Sequence, residues 1–219
     1  LSPLNSGFPP DCYDSKWINE SSVALQKTLR SVGVSKKDLM ITIHPGASKL
    51  ERAWHAERFG ILCQNLIKAY SIKIILVGTN EEKLLLEKIS SFCPPENVIV
   101  VVKLNLVEIA QLLKASQLFI GNDSGLLHLA SLVGTPVVGI FGPGQAITTG
   151  PFIDFKKQEI VSRNYSCSPC DQRFFEECEP SLHRKPECLE SISVREVSEA
   201  VQRIVKRLGL FNRPENFSI

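Results

Sequence analysis

Five short runs of this chain are apolar at nearly every position: MITI at 40–43, KIILV at 73–77, VIVVV at 98–102, LFI at 118–120 and PVVGIF at 136–141. A strand with one wet face alternates polar and apolar residues, so runs of this kind fit strands covered on both faces. The segments between them carry apolar residues at helical spacing, over about 56–70, in EEKLLLEKISSF, in NLVEIAQLLKAS and over 126–133. Strand and helix therefore alternate, which predicts a parallel sheet with helices on both faces. Right-handed crossovers make this an α/β, Rossmann-like, doubly wound sheet.

The flanks are less regular. Residues 1–38 read as a linker bearing Pro3, Pro9 and Pro10, then a short amphipathic helix marked by Val23, Leu25 and Leu29 and ended by Gly33. Residues 39–219 read as the sheet domain. Within it, residues 165–188 form a Cys-rich insertion that breaks the rhythm, and Val194 to Leu208 closes the chain as a helix with Val197, Val201, Ile204 and Leu208 on one face.

With 25 basic and 23 acidic side chains interspersed and a net charge of +2, the chain lacks the clustered cations of a nucleic-acid binder. No apolar run reaches the ~20 residues of a membrane-spanning helix, and the first residues lack the pattern of a signal peptide. A soluble, cytoplasmic protein is expected.

Ligands of doubly wound sheets sit beyond the carboxyl ends of the strands. Three polar loops leave those ends here: HPGASKLER, GTNEE and GNDSG. The last opens a helix, whose free N–H groups and partial positive charge suit a phosphate. Gly125 allows close backbone approach, and Ser124 either caps the helix or donates to an oxygen. Asp123 would repel a phosphate set directly on it, so it is expected to hold backbone amides or a sugar hydroxyl. His128, on the first helical turn, can reach back toward the loop. Ser48, Lys49 and Arg52 supply the hydroxyl and positive charge that a diphosphate needs, with Gly46 giving backbone access. Neither loop is a P-loop or a G-x-G-x-x-G fingerprint, so nucleotide hydrolysis and dehydrogenation lack their motifs.

These residues resemble glycosyltransferase family 9, the lipopolysaccharide heptosyltransferases and their relatives. The resemblance rests on PGAS with Arg52 two residues before Trp54, a strand ending VGTNEE, KL after the third strand, and DSGLLHLASLVGTPVVGIFGP. It runs from about Ile41 to the final helix and covers the carboxyl-terminal, donor-binding half of a two-domain GT-B fold. It implies a nucleotide-sugar donor, with ADP-heptose the usual one, and a lipid-linked sugar acceptor. By that resemblance Ser48 and Arg52, with Lys49, grip the phosphates. Glu82 or its neighbour Glu81 holds the ribose, and Leu104 packs near the adenine. Ser124 and Gly125 present amides to the diphosphate, with Asp123 and His128 nearby. Such enzymes generally use no metal and no cofactor, and peripheral association with the inner face of the inner membrane is expected. The amino-terminal half, which by resemblance binds the acceptor and carries the catalytic base, has no counterpart before Leu39, so the chain alone is expected to bind donor without efficient transfer. A UDP-sugar enzyme such as a 2-epimerase, and a non-catalytic nucleotide-binding module, are the competing readings.

Seven cysteines do not form a secreted scaffold pattern. Cys63 and Cys93 read as inert thiols, and Cys12 lies in the irregular start. Cys167, Cys170, Cys178 and Cys188 cluster in one stretch, with His183 as a spare ligand. Their spacing matches no standard zinc finger, which leaves free thiols and a tetrahedral zinc site both open.

Overall fold

The computed structural model describes residues 22–35, 38–167, 170, 173–176 and 178–211. The expected linker before residue 22, with Cys12, lies outside the described residues. In chain order the main elements are α1 (Ser22–Ser31), β1 (Met40–His44), α2 (Ala56–Tyr70), β2 (Lys73–Val77), α3 (Lys83–Ser90), β3 (Val98–Val101) and α4 (Leu106–Ala115). There follow β4 (Leu118–Asn122), α5 (Gly125–Leu132), β5 (Val137–Phe141), α6 (Ala146–Thr149), β6 (Gln158–Ser162), α7 (Glu187–Glu190) and α8 (Val194–Leu208).

The strands form one six-stranded sheet, ordered β3-β2-β1-β4-β5-β6, and every pairing is parallel. This is the doubly wound order, in which the chain moves outward from β1, returns to its other side at β4, and moves outward again. The apolar runs behave as expected because alternate residues feed different cores. Ile41, Ile43, Ile74, Leu76, Leu118, Ile120, Val138 and Ile140 pack with Phe59, Leu62 and Leu66 of α2, Leu86 and Ile89 of α3, and Val197, Val201 and Ile204 of α8. On the opposite face, Met40, Ile75, Val77 and Val101 pack with Leu29 of α1 and Leu112 of α4. Phe119, Val137 and Phe141 meet Leu113 of α4 and Leu127 and Ala130 of α5. Thus α2 and α5, the helices that follow the adjacent strands β1 and β4, leave to opposite faces. A crevice must open between them.

Two elements depart from expectation. The strand β6 is absent from the sequence reading, because QEIVS is polar at three of five positions and only Val161 is buried; it is an edge strand whose outer side needs no apolar cover. In α1, Leu29 is buried as expected, but Val23 is 70 % exposed. No helix among the described residues is long and apolar enough to cross a membrane.

The start of α8 is locked by sequence-local chemistry. Ser193 and Glu196 form a capping box, each side chain bonded to the other's backbone N–H. Arg163, just past β6, ion-pairs with Glu196 and holds its carboxyl down at about 2, below the ordinary 4.5. A depressed carboxylate stabilises the fold above the ordinary value and loses that contribution as pH falls from about 4.5 toward 2. Both partners are about a third exposed, so solvent screening keeps the contribution modest. Glu196→Gln is therefore expected to lower stability by about 1 kcal/mol at pH 7. In urea titrations its difference from the parent should shrink below pH 3.

Candidate functional site

The crevice between β1 and β4 is built around Asn122, the last residue of β4. It is fully buried, and its side chain reaches sideways into the loop that follows β1. Its Nδ2 donates to the carbonyls of Pro45 at 2.7 Å and Gly46 at 3.2 Å, while its Oδ1 accepts from the Trp54 N–H at 3.0 Å. One amide thus fixes both ends of the 45–54 loop. Trp54 is itself anchored, with its indole N–H donating to the Ile192 carbonyl at 2.9 Å and its ring edge-on to Phe59.

The loop so held carries Arg52 to Asp123. The two form an ion pair, with the Asp123 side chain only 7 % and the Arg52 side chain 17 % exposed. A carboxylate this buried requires a countercharge, and the Arg52 guanidinium supplies it. The Arg52 Nε is buried and, among the described residues, finds no hydrogen-bond partner. Beside the pair, a Cβ at Gly144 would stand 2.3 Å from the Asp123 carboxylate, so only glycine allows the β5 loop this close.

The amino terminus of α5 faces the same space. Ser124 occupies its N-cap position but makes no side-chain cap. Its hydroxyl instead lies 3.1 Å from Nδ1 of His44, which leaves the first amides of α5 without a side-chain acceptor. Among the described residues, nothing lies within 4 Å of where a Cβ of Gly125 would be. His128, on the first turn, is 45 % exposed, with Nε2 3.9 Å from Asp123 Oδ1. It borders an open groove of about 400 Å³ shared by Gly125, Leu129, Leu132, Leu106 and Phe152.

From β2, Glu82 turns its carboxylate back over its own loop, accepting from the Thr79 N–H at 2.8 Å and standing 3.6 Å from His44 Nε2. The His44 ring holds the Glu82 carboxyl below the usual carboxylate range. A Cβ on Gly46 would fall 1.7 Å from this carboxylate, so Gly46 makes room for Glu82. Glu81 is exposed. The structure therefore brings Arg52, Glu82, Asp123, Ser124, Gly125 and His128 around one crevice. Ser48 and Lys49 are exposed on the loop, and Lys49 places its ammonium 5.0 Å from the centre of the Phe174 ring. Leu104 is half-buried and packs against the core that holds Val77, Val101 and Leu112. Sequence reasoning missed His44, which bridges Ser124 and Glu82. Its signal was a histidine ending an otherwise apolar strand.

The sequence profile of glycosyltransferase family 9 (heptosyltransferase) matches residues 11–178. The chain belongs to glycosyltransferase family 9. Among curated members, lipooligosaccharide heptosyltransferase 2 of Campylobacter jejuni is 28 % identical over 175 residues, which is 78 % of this chain and 52 % of that protein. The lipopolysaccharide core heptosyltransferase OpsX of Haemophilus influenzae is 28 % identical over 123 residues, 55 % of this chain and 35 % of that protein. The chain spans about half the length of the Campylobacter relatives it matches. Among solved structures, the E. coli ADP-heptose lipopolysaccharide heptosyltransferase II shares the fold with a TM-score of 0.71 at 19 % identity, over 86 % of this chain and 53 % of that one.

Cys63 is fully buried, and Cys167, Cys170, Cys178 and Cys188 are all free thiols. Burial pushes the Cys188 thiol up to about 12. His183 does not join these cysteines. It lies against His55 and Glu190, and among the described residues that trio is the group of potential metal ligands within 4.8 Å of one another.

Replacing Asn122 with Ala leaves the Trp54 N–H and two carbonyls without their partner inside the protein. A loss of about 3 kcal/mol is expected, since each orphaned buried group costs about 1–3 kcal/mol. Urea unfolding followed by tryptophan fluorescence measures it.

Proposed function

We propose that this chain is the donor-binding half of a heptosyltransferase, taking the sugar from a nucleotide-diphosphate donor, ADP-heptose, to a lipopolysaccharide-core type acceptor. The observation that carries this reading is the uncapped amino terminus of α5 opening toward Arg52 at the strand crossover of the sheet. A diphosphate in that crevice accepts from the free amides at Gly125 and Leu126. It also supplies the partner that Arg52 Nε lacks. Asp123 then serves to orient the guanidinium, keeping one edge occupied while the other faces the ligand. As the glycosidic bond to the donor breaks, negative charge grows on the departing diphosphate. The helix terminus and Arg52 stabilise that charge without a divalent ion.

Around this anchor, Glu82 is the group for the ribose, Leu104 borders the place of the adenine, and Ser48 and Lys49 reach the phosphates from the same loop as Arg52. His128 faces the transferred sugar from the first turn of α5. The acceptor and the carboxylate base belong, on this reading, to an amino-terminal half outside this chain. The work takes place in the cytoplasm, at the inner face of the inner membrane where a lipid-linked acceptor is exposed. Family membership supports the reaction class, and the names of the Campylobacter and Haemophilus relatives support the sugar.

Calorimetry with ADP, UDP and ADP-heptose tests the reading. Preference for the adenine ligands is expected. A preference for UDP would favour a UDP-sugar enzyme such as a 2-epimerase, and no binding would favour a module without this chemistry. Arg52→Ala is expected to weaken ADP by about 10- to 100-fold, the worth of charge-assisted hydrogen bonds to one phosphate. Sugar transfer by the chain alone should be negligible, and robust turnover without a partner half would overturn the division of labour.

A further inference from the structure

Beside the loop that carries Arg52, His55 meets His183 and Glu190 of the 181–190 segment, bringing two imidazoles and a carboxylate together. His55 sits at the N-cap of α2, and its side chain is 10 % exposed. Glu190 is the last residue of α7, and His183 stands on a tight turn that precedes it. His55 Nε2 is 2.9 Å and His183 Nδ1 3.4 Å from the Glu190 carboxylate, and the ligand atoms of all three lie within 4.8 Å of one another. The two rings stand edge to face, 5.0 Å between centres.

We propose that this trio is a binding site for a divalent first-row transition ion, of which zinc is the representative. Tetrahedral zinc with bonds near 2.1 Å needs its ligand atoms about 3.4 Å apart, and small side-chain rotations bring these three to that spacing. Two nitrogens and one carboxylate oxygen suit zinc or its neighbours. Magnesium and calcium prefer oxygen alone. With His183 66 % exposed, the fourth position opens to water.

The supporting contacts are built in advance. Ser181 Oγ donates to Glu190 Oε2 at 2.9 Å and accepts from the His183 and Lys185 N–H groups, so one hydroxyl orients both the carboxylate and the turn that carries His183. Arg58 Nη2 also touches Glu190 Oε1 at 3.0 Å, and its positive charge opposes a cation. Its Nη1, however, is held by the carbonyls of Glu190 and Ile192 at 2.6 and 2.7 Å, so the guanidinium is anchored to the backbone whether or not the carboxylate turns to an ion. Arg58 makes the site weaker than a closed four-ligand zinc centre. A bound ion would pin the 181–190 segment to the start of α2, beside the loop that carries Arg52.

The test uses the chain stripped with a chelator, titrated with zinc against a chromophoric competitor, and then with cobalt(II) for its spectrum. The parent is expected to bind one more equivalent than His183→Ala, or to bind that equivalent at least 10-fold more tightly. Glu190→Gln should show the same loss. Cobalt at this site gives ligand-field bands without thiolate charge transfer, which separates it from any ion held by Cys167, Cys170, Cys178 and Cys188. At 100-fold excess over its dissociation constant, zinc should raise the parent's Tm by about 5–10 °C more than that of His183→Ala. Because His183 is exposed, that variant should match the parent's Tm in chelator. Zinc uptake unchanged in His183→Ala, no uptake by the parent, or cobalt bound wholly through thiolates would overturn the proposal.

Discussion

The side chain of Asn122 is the interaction on which the site depends. A parallel sheet that winds outward in both directions from its centre leaves its two central strands feeding helices on opposite faces, and the backbone there parts company with itself. Something must bridge the gap. Asn122 does so from the end of β4, spending both donor hydrogens and its acceptor on the loop after β1. An amide is the one short neutral group that can accept from one peptide and donate to two others at once. Because it is fully buried, each bond is made where water cannot substitute.

The loop pinned by that bridge positions the charged groups of the crevice. Arg52 reaches Asp123 because the loop is pinned at Trp54, and Ser124 leaves its helix uncapped because His44 offers it a different partner. The crevice thus holds a cation already oriented by a buried carboxylate, next to a helix end with donors to spare. On the proposed function, such pre-orientation lowers the reorganisation needed when the diphosphate binds, the circumstance in which electrostatic stabilisation is most effective. The same logic, with different chemistry, governs the start of α2, where Ser181 and Arg58 hold Glu190 in place between two histidines.

The sequence made the architecture legible at the level of individual strands. The runs that hold Ile41, Ile74, Leu118 and Val138 are apolar nearly throughout because alternate residues pack against helix layers on opposite faces. The loops GNDSG and HPGASKLER were legible as a candidate site for a related reason, since polar residues crowd there at the ends of strands that are nearly all apolar. The strand β6 was not legible, because an edge strand with one partner carries no such signature. His44 was read as the start of a loop although it ends β1, and its role appears only when β2 and β4 stand on either side of it.

What the sequence by itself determined is which segments are strands and helices, that the sheet is covered on both faces, and where the polar loops emerge, because burial on both sides leaves its mark residue by residue. Only the tertiary structure decided the partners. Whether Asp123 would accept from amides or from Arg52, and whether His183 would stand with the cysteines or with His55 and Glu190, turned on contacts between residues 71 and up to 135 positions apart. Pairings of that range are set by how the helices pack across the sheet, and local pattern carries no record of them.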